Sequence, residues 1–309
     1  MSPASLGPLR FVLRSLGYHW RIHLGSALGA AVACAVLAGA LVVGDSMRGT
    51  LRSIALERLG RVDLAVFSGR PFPLRLVEAL RKSPDVAGAF EPPVAALILK
   101  GAASAPGPQG IGPRLGGVRV IGLGAGDMAM AGGSREGPSL EPRGRGVLVN
   151  RRLAEELGLR PGDPLVLWLA AASGIPREFL AGRRDDPARA VRCEVLQILP
   201  EGSPGSFSLD PDQRTARNVF VDRLEIARAL LLAGKANAIL LKTLEGGSGS
   251  GGPRASQLLQ EALRREAAAE DLGLRILKRR AEGWIQVESE AFQIEPAVET
   301  AARDRKSVV

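Results

Sequence analysis

Carboxylates, hydroxyls and thiols are the side chains from which chemistry could come, because His19 and His23 both precede a long apolar run. The rest of the chain has no imidazole for a Ser-His or Cys-His nucleophile and no His ligand for zinc. Glu155-Glu156 and Asp185-Asp186 could supply an acid and a base or hold a cation. Adjacent acids on a helix point in different directions and both pairs have arginines nearby, so solvated ion pairs are the expected role. Ser206 and Ser208 stand near Asp210 and Asp212 with no base to activate a hydroxyl. Gly234-Lys235 has Ala229 and Ala236 where a phosphate-cradling loop needs Gly and a hydroxyl, so the chain is not expected to be an ATPase. In Val118 to Asp127 the glycines at 122, 124 and 126 are followed by Asp127 where a dinucleotide fingerprint needs Gly, which leaves a strand end and a turn. The expectation is no catalytic, cofactor-binding or metal-binding residue, with any substrate-binding residue unknown.

Composition narrows the class. With 309 residues, 46% of them apolar, the chain is too hydrophobic for disorder, and two Cys are too few for a disulfide-built scaffold. Cys34 lies in the apolar run and Cys193 far beyond it, so no bridge between them is expected. A net charge of +9 suggests a nucleic-acid partner, yet the cations are scattered among acids and a single Tyr leaves few stacking platforms. Nucleic acid is not expected as a partner.

The elements that would carry a function begin with Leu24 to Gly44, a stretch without charge and long enough to span a bilayer. Its glycines and alanines suit close approach of another helix, although a lone anchor satisfies the same pattern. Ala38-Gly39-Ala40 resembles a signal-peptide cleavage site, but the apolar run exceeds the usual length of such a segment. Residues 1–23 carry Arg10, Arg14 and Arg21 among apolar side chains with no acid, the composition of an amphipathic helix lying in the lipid interface. Cations flank both ends of the span; the long segment after it is expected to be exported, leaving the N-terminus cytoplasmic. Asp45 and Ser46 at its end either join subunits or mark the headgroup level.

Beyond the span, helical spacing continues from Ser46 and stops at Gly60, a C-cap. Alternation over 62–67, a short helix over 73–83 and strand-like runs over 86–100 read as a β-α-β unit. After a loop at 101–116 come strands at 118–123 and 146–149, with Asn150 capping a helix from Arg151 to Leu157 that ends at Gly158. Strands at 165–170 and 191–199 make 146–200 a β-rich insert. A second β-α-β unit covers 218–242, and a Gly/Ser excursion leads to a helix at 256–270 and strands at 274–277 and 284–287. The fold class is α+β: one transmembrane helix, then an extracytoplasmic domain of β-α-β units with a smaller β-rich subdomain.

Several signatures together resemble the permeases of ATP-binding-cassette transporters of the FtsX/MacB type. They are Gly44 to Leu51 after the span, Arg58-Leu59-Gly60-Arg61-Val62-Asp63, Val147-Leu148-Val149-Asn150 with Leu153-Ala154, Leu157 to Asp163, and Asn218 to Asp222 with Leu224. The resemblance implies a MacB-like periplasmic core domain over 45–303, its β-α-β part at about 45–145 and 200–303 and its insert at about 146–200. It also implies an inner-membrane location, a separate ABC ATPase subunit, a second permease subunit in a homo- or heterodimer, and contact with membrane lipid. ATP hydrolysis on the partner would then drive export or extraction of a substrate, or a signal across the membrane. A single-pass anchored binding or adaptor domain is the alternative. Members of that family carry three further spans, whereas this sequence ends at Val309 with no second long apolar run. Residues 304–309 resemble translated library adapter and are expected to be an artefactual tail.

Overall fold

The computed structural model describes residues 8–107, 110–133, 141–169, 189–202, 204–210, 216–244, 252–268, 271, 274–279 and 284–289. Expectations for the tail at 304–309, for Asp185-Asp186, for Asp212 and for the Gly/Ser tract at 245–251 lie outside these residues. The chain divides into two compact units, Met1–Leu56 and Glu57–Val309.

The first unit is helical: α1 (Pro8–Tyr18), then the greater part of α2 (Trp20–Arg58). α2 is one unbroken 39-residue helix, long and apolar enough to cross a membrane by length and composition. None of its residues is buried, and Leu24, Leu28, Val32, Val36, Leu41 and Val43 are exposed along it. Such a helix gains nothing from internal packing and needs apolar surroundings from elsewhere. Asp45 and Ser46 are exposed on it, and the Ser46 carbonyl accepts from the Thr50 hydroxyl.

The second unit is built on one mixed sheet with the order β1-β10-β2-β5-β9-β6-β8-β7. In chain order its elements are β1 (Leu64–Pro73), α3 (Arg75–Lys82), α4 (Pro84–Ala87), β2 (Val94–Ser104), the small pair β3 (Pro106–Gly107) and β4 (Gly110–Ile111), and β5 (Leu115–Leu123). A 3-10 turn (Asp127–Ala131) precedes β6 (Gly146–Asn150), α5 (Arg151–Leu157), β7 (Pro164–Leu169), β8 (Arg189–Leu199), β9 (Arg217–Asp222), α6 (Arg223–Ala229) and β10 (Lys235–Leu241). α7 (Pro253–Glu266) and a separate hairpin, β11 (Leu274–Arg279) with β12 (Trp284–Ser289), complete it.

The content is α+β, and the arrangement departs from the expected units. β1 and β2 are not neighbours: β10 lies between them, antiparallel to both. The strands flanking α6 are separated by β2 and β5. A returning strand that enters as an antiparallel neighbour gives slightly stronger pairing than direct parallel contact would. The strand-like run expected from 86 begins later, because Pro84–Ala87 forms a helical turn in which Pro84 occupies a first-turn position where its missing N–H costs nothing. Residues 146–200 contribute β6, β7 and β8 to the same sheet as the rest.

β7 also pairs with β2, so β2-β5-β9-β6-β8-β7 closes into a ring. β2 makes this possible by serving two partners in series along one edge: Val94 to Ala96 face β10, and Gly101 to Ser104 face β7. Between them the Asn237 side chain stands in for the ladder, accepting from Ile98 N at 2.8 Å and donating to Ile98 O at 2.8 Å. At Gly101, a Cβ would collide with the Trp168 carbonyl, so only glycine lets β7 approach.

Alternation sorts the side chains. Val118 and Val120, Val147 and Val149, Leu165 and Leu167, and Val219 and Val221 fill the ring. Ile121, Leu123, Leu148, Phe220 and Leu240 face outward into a second core with Phe207, Met128, Met130 and Val62. A third core packs α3, α4 and α7 on the β1-β10-β2 end through Leu76, Leu80 and Leu259. With both faces buried, these strands read as continuous apolar runs.

Candidate functional site

The second core surrounds residues 57–63, where the chain leaves the last turn of α2 and enters β1. A helix end leaves its final carbonyls without intrahelical partners. Here the Arg58 carbonyl accepts from Ser208 N at 2.8 Å, and Gly60 turns the chain with φ +60°. That conformation suits glycine, as the expected C-cap requires. A Cβ at Gly60 would also lie 2.7 Å from Ala131 C and Met130 O, which excludes any larger residue. Arg61 N then donates to Met130 O at 3.0 Å and Asp63 N to Leu241 O at 3.0 Å. Side chains repeat the attachment. Arg61 pairs with Glu91 at 2.6 Å, and Asp63 Oδ2 accepts from both Thr243 N (2.9 Å) and Thr243 Oγ1 (2.5 Å). Arg58, Arg61 and Asp63 are thus bonded to the Ser208 loop, the Met130 turn, Glu91 and the end of β10 with Thr243.

The loop bearing Ser208 is itself held from below. Asn150, the predicted cap, accepts at Oδ1 from Leu153 N (3.3 Å) and from Asn218 N (3.1 Å). Its Nδ2 donates to Ala216 O (2.7 Å) and Gly205 O (3.3 Å). Asn218 Nδ2 donates to Phe207 O (2.7 Å) and again to Gly205 O (3.0 Å). Phe207 packs beside Phe220, and Arg119 reaches Ser208 Oγ at 2.8 Å and Asp210 at 2.5 Å. The two asparagines thereby fix Gly205 to Phe207, and that segment places the N–H that caps Arg58.

The opposite side of the joint carries charge in a less satisfied setting. Asp127 opens the 3-10 turn that supplies Met130 and Ala131, and burial pushes its carboxyl above the ordinary aspartate range against the pull of Arg81 and Arg223. Burial likewise lowers the Arg223 guanidinium, whose Nε and Nη1 are buried with no hydrogen-bond partner among the described residues.

Of the residues weighed for chemistry, Glu156 bonds Arg217 at 2.6 Å and Arg152 at 3.0 Å, tying α5 to β9, and the Arg217 contact holds its carboxyl below the usual range. Ser206 Oγ accepts from Gly202 N, and Ser208 Oγ is engaged by Arg119. Cys193 is buried, and desolvation pushes its thiol up to about 12. Among the described residues no group of three or more His, Cys, Asp and Glu converges. Within the second unit the arrangement binds residues 58–63 to the sheet, and among the described residues it brings no nucleophile to a base. Sequence reasoning found Gly60 and Asn150 as caps but missed Ser208 and Asn218, whose roles depend on a loop and a strand far apart in the chain.

No family model and no curated protein matches the chain significantly. Among solved structures, the periplasmic region of MacB from Actinobacillus actinomycetemcomitans is 7% identical, with TM-score 0.39, covering 77% of this chain and 85% of that one. The extracellular domain of the noncanonic ABC-type transporter YknZ from Gram-positive bacteria is 13% identical, with TM-score 0.37 and coverage of 71% and 90%. A domain assigned to a permease protein from Porphyromonas gingivalis is 11% identical, with TM-score 0.37 and coverage of 76% and 85%. These loose likenesses are all extracytoplasmic or permease domains.

Proposed function

We propose that the chain is part of an ABC-type permease, its second unit an extracytoplasmic domain that works mechanically. A separate ATPase subunit would supply the energy, and a second permease subunit would complete the assembly in the inner membrane, with residues 1–23 on the cytoplasmic side. Under this reading 24–44 crosses the lipid, 45–303 is the core domain, and 304–309 is foreign sequence. The output is export or extraction of a substrate, or a signal.

One observation carries the reading: Arg58, Arg61 and Asp63 are bonded to a loop at Ser208, a turn at Met130 and the end of β10 at Leu241. A flexible tether would suffice for an anchored enzyme or a binding domain. Paired backbone and side-chain bonds at a helix exit suit a part that must follow a helix without slipping. The absence of a phosphate-binding loop in the sequence directs the search for the motor to another chain.

The test uses the permease assembled with its ATPase in liposomes. Ser208→Pro removes the N–H that caps Arg58, whereas Ser208→Ala keeps it. The proline variant is expected to hydrolyse ATP with its output at least tenfold uncoupled, and the alanine variant to work normally. Full coupling in a folded Ser208→Pro assembly would end the mechanical reading. A reporter enzyme active only outside the cytoplasm, fused after Ser289, checks the orientation.

A further inference from the structure

Away from the joint, a groove of about 500 Å³ opens where α6 lies beside β6 and β8. That volume falls within the range of ligand sites. Its floor is apolar, made by Val147, Val221 and Ile226 from the wall of the ring core. Its rim is cationic. Arg145 and Arg192 are exposed there, and among the described residues neither has a carboxylate within ion-pair reach. Arg228 completes the rim, paired at 2.9 Å with Glu225, the only acid in the lining.

The outer face of α6 continues this surface. Leu224, Arg228 and Leu231 follow one another at i, i+4 and i+7, while Ile226, Ala227 and Leu230 turn inward. Leu224 is 50% exposed and Leu231 74%. Leu231 is also the one non-glycine residue at positive φ among the described residues, with φ +60°. It occupies the position just past a helix where glycine is favoured, with Leu232 N bonded back to Ala227 O at 2.7 Å. A branched side chain in that conformation is strained and here gains no burial in return. Such strain is kept where a function over-determines it.

We propose that the groove and this face of α6 bind an acidic polypeptide segment with an apolar side. Its carboxylates would take the Arg145 and Arg192 guanidinium groups, which bind carboxylates in bidentate fashion. Its apolar side chains would cover Leu231, Leu224 and the floor. A small anionic amphiphile would fill the groove alone and leave both leucines exposed, so the polypeptide accounts for more of the surface. This surface is independent of the mechanical reading of the joint.

The test uses the full chain in lipid nanodiscs and two fluorescein-labelled amphipathic peptides, one of Leu and Glu and one of Leu and Lys, with empty nanodiscs as baseline. Fluorescence anisotropy is expected to show saturable binding of the Glu peptide alone, weakened as salt screens the charges. The double substitution Arg145→Glu with Arg192→Glu is expected to reverse the preference. Leu231→Gly is expected to weaken binding about tenfold while leaving the fold intact, since glycine relieves the strain. Equal binding of both peptides, or unchanged affinity in either variant, overturns the proposal. So does binding that appears only after residues 170–188 are replaced by a Gly/Ser linker, because the chain's own segment would then be the occupant.

Discussion

Two polar clusters flank the joint and are built to different standards. On one side Asn150 and Asn218 spend nearly all their hydrogen-bonding capacity; the exception is Asn218 Oδ1, which is buried without a partner. On the other, Arg223 has two buried nitrogens with no partner among the described residues, and Asp127 sits with its carboxyl raised by burial. Neutral amides that reach backbone carbonyls hold a loop in one place, because breaking a bond such as that from Asn218 Nδ2 to Phe207 O leaves a buried acceptor unmet. Charges withdrawn from water without full pairing lower stability and leave the local structure weakly specified. The joint thus has a firm side, at the loop of Ser208, and a soft side, at the turn of Met130.

Several changes would break or sharpen that contrast. The largest effect is expected from Asn218→Ala, which strips the donor from Phe207 O and one of two from Gly205 O. A loss of about 2 kcal/mol follows from the cost of one unmet buried acceptor, Phe207 O, since Gly205 O keeps Asn150. Hydrogen exchange over 204–210 should speed up accordingly, and exchange as slow as in the wild type would dissolve the distinction between the two sides.

Arg223→Met should be the opposite case. Removing a half-buried, incompletely paired cation is expected to be neutral or to stabilise by about 1 kcal/mol. It also withdraws one of the charges that pull Asp127 down, so the aspartate should rise further. A carboxyl raised in the folded state favours folding while protonated, and that contribution is lost as pH rises through its folded value. The variant's thermal unfolding should therefore shift more steeply with pH across that rise than the wild type's. A drop in stability comparable to that of Asn218→Ala would show that Arg223 is satisfied after all.

Glu156 supplies a milder control away from both clusters. Its carboxyl is held below the ordinary value near 4.5, first by the Arg217 hydrogen bond. Its contribution is present above that value and fades as pH falls through the folded one. Glu156→Gln should flatten the acid limb of the stability curve by a few tenths of a kcal/mol, since the pair is partly exposed. An unchanged acid limb would mean that the bond to Arg217 adds nothing.

How much of this could be read in advance follows from the range of each interaction. Asn150 before an amphipathic run and Gly158 after it announced α5, because capping is settled within a few residues. Gly60 was legible for the same reason. The apolar runs at 118–123 and 146–149 marked strands but not their neighbours; nothing local in Gly101 or Trp168 tells that β7 returns to β2. Residues 146–200 read as an insert, and nothing local in them tells that β6, β7 and β8 take places in the ring. Asn218 looked like the mere start of a strand, since its partners belong to a loop whose position depends on the assembled sheet. The Arg223 cluster left no trace in the pattern, because an orphaned donor is visible only once burial is known.

The register of the edge strand has a consequence for biogenesis. Leu64 pairs with Leu241 and Phe67 with Ala238, so β1 emerges first and finds its partner only after almost the whole sheet has been made. Pairing over such separation is slow to form, and an apolar strand left waiting is open to the wrong neighbour. Arg70 and the prolines at 71 and 73 stand in that strand where they discourage stray pairing. Until β10 has been made, β1 has no partner in the sheet, and the charge and prolines it carries are its own protection.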